Sequence, residues 1–126
     1  MWAESGANLG ALARQCGLRG LAGLEWAATV PGTVGGAVFG NAGAHGGDLA
    51  GSLVVAEILQ QDGTVRRWNP AELAFEYRSS RLKRLKVQGR AAVILAAELR
   101  LGEGEPAALQ ARAEDYAAHR DRKSVV

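Results

Sequence analysis

The sequence predicts an α+β fold, an antiparallel sheet with flanking helices, and three features carry that expectation. Residues 53–61 (L-V-V-A-E-I-L-Q-Q) and 64–68 flank Asp62-Gly63, a pair that tolerates positive φ and suits a tight two-residue hairpin turn. Residues 91–101 are apolar enough to form a strand buried on much of both faces. Helical segments flank these strands, one following Asn8 and another opening at Pro106 and running to about Arg120.

The remaining elements follow in order. Residues 1–5 alternate weakly, as a strand does, and Asn8 is placed to cap a helix over 9–15 that Gly17 would end in the left-handed conformation. Asn69-Pro70 combines an N-cap with a preset φ, and Glu72 adds charge at the positive end of the dipole, so a short helix should finish near Phe75. Residues 83–86 read as a basic exposed run. Residues 121–126 have neither a cap nor an apolar anchor, and the chain is expected to be cut short there.

Composition sets bounds on function. The 126 residues are 48% apolar and 22% charged, which suits one globular domain. A net charge of +2, from 15 basic against 13 acidic residues, makes no case for nucleic acid. Cys16, the single cysteine, cannot form an intrachain disulfide, favouring a reducing compartment and hence the cytoplasm. No run approaches the roughly 20 apolar residues of a membrane span, and the first eight residues lack the basic start of a leader, so the expectation is a soluble chain off the membrane. No metal site is expected.

Eleven of the seventeen glycines fall between Gly17 and Gly51. Each glycine inside a helix costs about 1 kcal/mol relative to alanine, so that density calls for a reason other than regular structure. Main-chain amides with little side-chain cover can form an anion nest, and a helix start near Thr33 adds positive dipole, which suits a phosphate-bearing cofactor. The competing reading is that the glycines only make tight turns, and glycine content alone favours it. Neither the G-x-G-x-x-G nor the G-x-x-x-x-G-K-[ST] spacing is present, so a different nucleotide architecture is needed.

The run V-P-G-T-V-G-G-A-V-F-G-N-A-G-A-H-G-G from Val30, followed at Tyr77 by Y-R-S-S-R, resembles the UDP-N-acetylenolpyruvoylglucosamine reductases in their shorter, type II form. The likeness extends from Trp2 through the helix after Pro106. It implies the second lobe of a two-lobed FAD-binding domain of the PCMH/vanillyl-alcohol-oxidase type, with residues 1–120 as that lobe plus an edge of the first. Residues 121–126 would then be a truncated linker toward a substrate-binding domain. A G-G-G-S-N phosphate loop upstream and a G-S-x-F segment downstream, carrying the proton donor, are implied to lie outside this chain, which alone should be inactive.

The resemblance implies NADPH-driven, FAD-dependent reduction of UDP-N-acetylglucosamine enolpyruvate to UDP-N-acetylmuramate in peptidoglycan synthesis. Its implied cofactor-binding residues are Val30, Pro31, Gly32, Thr33, Gly35, Gly36, Ala37, Asn41, Ala42 and Gly43. Arg78 is the candidate catalytic residue, because a fixed guanidinium favours a developing enolate and its carboxylate. Tyr77 and Ser79 join it at the substrate. In an extended segment, Tyr77 and Ser79 would face one side and Arg78 and Ser80 the other. An isolated arginine would otherwise be a surface ion pair.

His45 is read as a loop residue near the site, Cys16 as core, and Trp26 as a packing anchor before the cofactor loop. Arg81, Lys83, Arg84 and Lys86 could attract phosphates, although such a run is usually a solvated face. Two alternatives stay open: another flavin oxidoreductase of the vanillyl-alcohol-oxidase type, which would not need the Tyr77 block, and a non-catalytic module that packs against missing lobes.

Overall fold

The computed structural model describes residues 1–89 and 92–124, with side chains described as far as His119 and not at Arg90 or Ala91. Strand β1 (Trp2–Glu4) leads into helix α1 (Leu9–Leu18), whose cap Asn8 accepts a hydrogen bond from the Ala11 amide at 2.8 Å. The helix outruns the expected Gln15. Gly17 stays helical under Leu109 of the last helix, Arg19 closes the helix, and the left-handed turn falls to Gly20 at φ 74°.

After β2 (Leu21–Ala22) and a 3-10 turn at Glu25–Ala27, helix α2 (Val34–Gly40) begins at Thr33, whose hydroxyl accepts from the Gly36 amide at 3.2 Å. A two-residue pair, β3 (Gly43–Ala44) and β4 (Gly47–Asp48), precedes the short helix α3 (Leu49–Ser52), which Asp48 caps.

Strands β5 (Leu53–Leu59) and β6 (Val65–Trp68) form the expected hairpin, but its loop has three residues instead of two. The Gln60 amide donates to Thr64 O at 2.8 Å and the Gly63 amide to Gln60 O at 2.9 Å. Gly63 takes the positive φ, 86°, while Asp62 spends its carboxylate on the Thr64 amide and hydroxyl. An Asx bond that holds the turn from outside makes the second positive φ unnecessary.

Helix α4 (Pro70–Leu73) has a full capping box between Asn69 and Glu72, and left-handed Ala74 ends it just short of Phe75. The basic run lies in a helix the sequence reading did not foresee, α5 (Arg81–Val87), capped by Ser80 with Leu82 buried beneath it.

Strand β7 (Val93–Leu99) is shorter than expected; Ala91 lies outside the described residues. Ile94, Ala96, Ala97 and Leu99 are buried, but Val93 and Leu95 are exposed, so its first half is covered on one face only. Strand β8 (Gly102–Glu103) pairs with β2, and helix α6 (Pro106–Ser124) continues past Arg120 through part of the expected linker.

The main sheet is antiparallel throughout, in the order β1-β7-β5-β6. Ala3, Ala97, Ala56 and Trp68 lie side by side across it and are all buried. Small alanines there let α2 settle close to β7, with Val34 and Val38 fully buried. Each such aliphatic side chain contributes roughly 1.5–3 kcal/mol by leaving water. Helix α6 closes over α1 and the 3-10 turn, and Arg112 pairs with Glu25 at 3.2 Å. No helix among the described residues is long and apolar enough to cross a membrane.

Candidate functional site

Two adjoining clefts open where α2, the β3–β4 pair and the turn before α5 meet. One, about 570 Å³, lies between residues 41–50 and residues 75–78. Its neighbour, about 530 Å³, is lined by Val30, Pro31, Gly43, Ala44, His45, Arg78 and His119. Gly43, Ala44, His45 and Arg78 belong to both. Residues from the two sequence motifs therefore share one wall.

The Tyr77-Arg78-Ser79-Ser80 block is not extended. Glu76 and Ser79 exchange backbone hydrogen bonds of 3.0 and 3.1 Å, making Tyr77 and Arg78 the tip of a two-residue turn. Arg78 sits at φ 52°, a conformation rare for a residue with a Cβ. The turn replaces the expected alternation of faces. Tyr77 is 88% exposed with the Arg78 guanidinium 5.4 Å from its ring centroid, and among the described residues Arg78 forms no ion pair. Ser79 is partly covered, and its hydroxyl accepts from Arg84 at 3.3 Å.

The basic residues of α5 brace this turn. Lys83 Nζ donates to Arg78 O at 2.9 Å, and Arg84 Nη2 donates to Ala74 O at 2.6 Å. Arg81 lies over the Trp68 ring and Lys86 over Phe39. Arg81, Lys83 and Lys86 remain exposed, as expected of a solvated face, while Lys83 and Arg84 also hold the turn.

The glycine-rich residues divide among three settings. Val30, Pro31 and Gly43 line the second cleft, with Asn41 and Gly43 on the first. Gly35 and Gly36 line a separate hollow with Ser5, Phe39 and Lys86. Gly35 is buried against Ser5, where any Cβ would collide, and Ala37 is in the core. Gly32 and Thr33 are exposed at the start of α2, and Ala42 is partly buried. Asn41 has the left-handed backbone that ends α2, and its side chain is turned inward.

His45 and His119 line the second cleft, and Tyr116 packs against His45. His45, at φ 52°, stacks on Tyr116 with centroids 4.4 Å apart and planes 6° from parallel, and His119 meets it edge-on at 5.8 Å. Tyr116 and His119 went unnoticed in the sequence because nothing in it brings α6 to residue 45. Trp26 is buried as expected, with its ring against Gly47. Cys16 is also core; burial pushes its thiol above the ordinary range.

A flat, phosphate-bearing cofactor fits these residues. A Cβ on Gly43 would come within 2.9 Å of Gly47 O, so this wall exists only as bare backbone. Gly32 and Gly46 face open space, leaving their main chain approachable.

An FAD binding domain family model matches residues 1–69. The chain belongs to the FAD-binding domain family. This FAD-binding domain chain is 44% identical over 124 residues to the UDP-N-acetylenolpyruvoylglucosamine reductase of Chloroflexus aurantiacus, covering 98% of this chain and 42% of that one. It is 44% identical over 120 residues to the reductase of the same name from Gloeobacter violaceus, covering 94% and 39%. The crystal structure of UDP-N-acetylenolpyruvylglucosamine reductase (MurB) from Thermus caldophilus superposes with a TM-score of 0.85 at 30% identity, over 96% of this chain and 43% of that one. The chain thus spans about two fifths of the length of these relatives. The resemblance read from the two motifs and the α+β expectation both hold.

Proposed function

We propose that this FAD-binding chain serves the NADPH-driven reduction of UDP-N-acetylglucosamine enolpyruvate to UDP-N-acetylmuramate, in the cytoplasm, for peptidoglycan synthesis. The observation that carries the reading is the shared wall, where Arg78 of one motif meets Val30, Pro31 and Gly43 of the other. The similarity to reductases across nearly the whole chain supports it.

Val30, Pro31 and Gly43 would hold the flavin's flat part, with the backbone from Gly32 to Gly36 toward its phosphates. Gly35 and Ala37 support that backbone from inside. FAD, when bound, supplies hydride transfer between NADPH and the enolpyruvyl double bond. Arg78, in no ion pair among the described residues, offers its guanidinium at the cleft wall. It binds the substrate carboxylate and stabilises the negative charge that grows beside it through charge-assisted hydrogen bonds. Tyr77 forms the outer wall at the turn tip. Ser79, accepting from Arg84, keeps its own proton to donate to a substrate oxygen.

Two measurements test the reading. The chain, incubated with excess FAD and passed through gel filtration, should retain a flavin band in its visible absorbance; complete loss would favour a non-catalytic packing module. In an active flavin-loaded enzyme, Arg78→Ala should lower turnover about 100-fold, the scale for losing one oxyanion donor, with flavin content unchanged. Unaltered turnover would remove Arg78 from the mechanism.

A further inference from the structure

We infer that Asn41 is a positioning residue for Arg78, acting with Ser80 as a two-point brace that ties the Arg78 turn to the end of α2. The functional part of this inference rests on the role proposed above for Arg78; the brace itself does not.

The side chain of Asn41 is buried, and its amide is used at both ends. Nδ2 donates to Glu76 O at 2.9 Å, and Oδ1 accepts from the Ala50 amide at 3.0 Å. On the far side of the turn, Ser80 is fully buried and its hydroxyl donates to Phe39 O at 2.7 Å. The same hydroxyl accepts from the Lys83 amide at 3.3 Å, capping α5. The turn 76–79 is thus fastened on both flanks to residues 39–41, over sequence separations of 35 and 41 residues.

These fastenings account for the unusual backbone at Arg78. A left-handed residue with a side chain is strained and persists only where its surroundings over-determine it. Here the Glu76–Ser79 pair closes the turn from within, and Asn41 and Ser80 fix it from outside. The left-handed backbone of Asn41 itself, φ 49°, aims its amide at Glu76 and not outward. Asn41 therefore acts on a ligand through Arg78, because both polar atoms of its buried side chain are already turned to the backbone at Glu76 and Ala50.

The test is amide hydrogen exchange on the full chain, comparing wild type with Asn41→Asp, Asn41→Gly and Ser80→Ala. Asn41→Asp keeps the acceptor for Ala50 but cannot donate to Glu76. Asn41→Gly keeps the left-handed backbone without strain and guards against misfolding. Exchange at the Glu76 and Ser79 amides should accelerate about 10-fold in each variant, as expected for one lost hydrogen bond, with β5 and β7 unchanged. Unchanged exchange at 76–79, acceleration spread equally over the sheet, or protection restored by Asn41→Asp relative to Asn41→Gly would each overturn the brace.

Affinity for UDP-N-acetylglucosamine enolpyruvate, measured on the same proteins, separates the two claims. If Asn41 works through Arg78, adding Asn41→Asp to Arg78→Ala should weaken binding no further. Full additivity would overturn the positioning role. If Arg78→Ala alone leaves binding and turnover intact, the reading of Arg78 fails while the exchange data still decide the brace.

Discussion

The main sheet and the cleft rim are built on opposite principles. In the sheet, side chains do the organising: Ala3, Ala97, Ala56 and Trp68 line one face across four strands, and register follows from what must be buried. At the rim, the backbone does. Three of the four non-glycine residues with positive φ among the described residues, Asn41, His45 and Arg78, lie there, at the end of α2, in the turn between β3 and β4 and in the 76–79 turn. Burial periodicity thus builds the platform, and turn chemistry builds the site.

The comparison is broken most forcefully from the sheet side. Ile58 is fully buried, and Ile58→Ala should cost about 2–5 kcal/mol in urea unfolding, taking the rim down with the whole domain. A smaller cost is expected at Gly47→Ala. A Cβ there would lie 2.5 Å from the Trp26 ring, so overpacking should cost about 1–3 kcal/mol and shift the β3–β4 pair while the sheet survives. Normal stability in that variant, with normal flavin retention, would mean the rim has slack that its geometry denies.

The smallest effect belongs to the β5–β6 loop, where a polar bond assists the sheet. The Thr64 hydroxyl and amide hold the Asp62 carboxyl below the usual carboxylate range. Because the folded value is depressed, the contribution is present above the unfolded pKa, about 3.9, and is lost as pH falls through the folded value. Asp62→Ala should therefore be slightly less stable than wild type near pH 7, with the difference closing in acid. A gap that persists at low pH would assign the loss to something other than this charge.

The same division explains what was legible beforehand. The β5–β6 hairpin, the Asn8 and Asn69 caps and the Thr33 helix start each announce themselves within a few residues, and each is present. Helix α5 was missed because its charges read as surface, although Ser80 followed by Leu82 and Leu85 carried a cap and a buried stripe. Gly17 misled because its neighbour Leu109 lies far along the chain. The Arg78 turn was read as extended because its fastenings come from Asn41 and Phe39, which no local pattern connects to it. The motif residues were visible; the wall they share was not.

The packing of Trp26 against Gly47 gives the molecule an optical sensor of its own. This indole lies behind the backbone of the cleft, whereas Trp68 is buried beside β5 and Trp2 is 45% exposed at the sheet edge. A yellow chromophore seated against the β3–β4 pair would lie close enough to drain excitation from Trp26. Ligand occupancy would then register as dimming of native fluorescence, without any label attached.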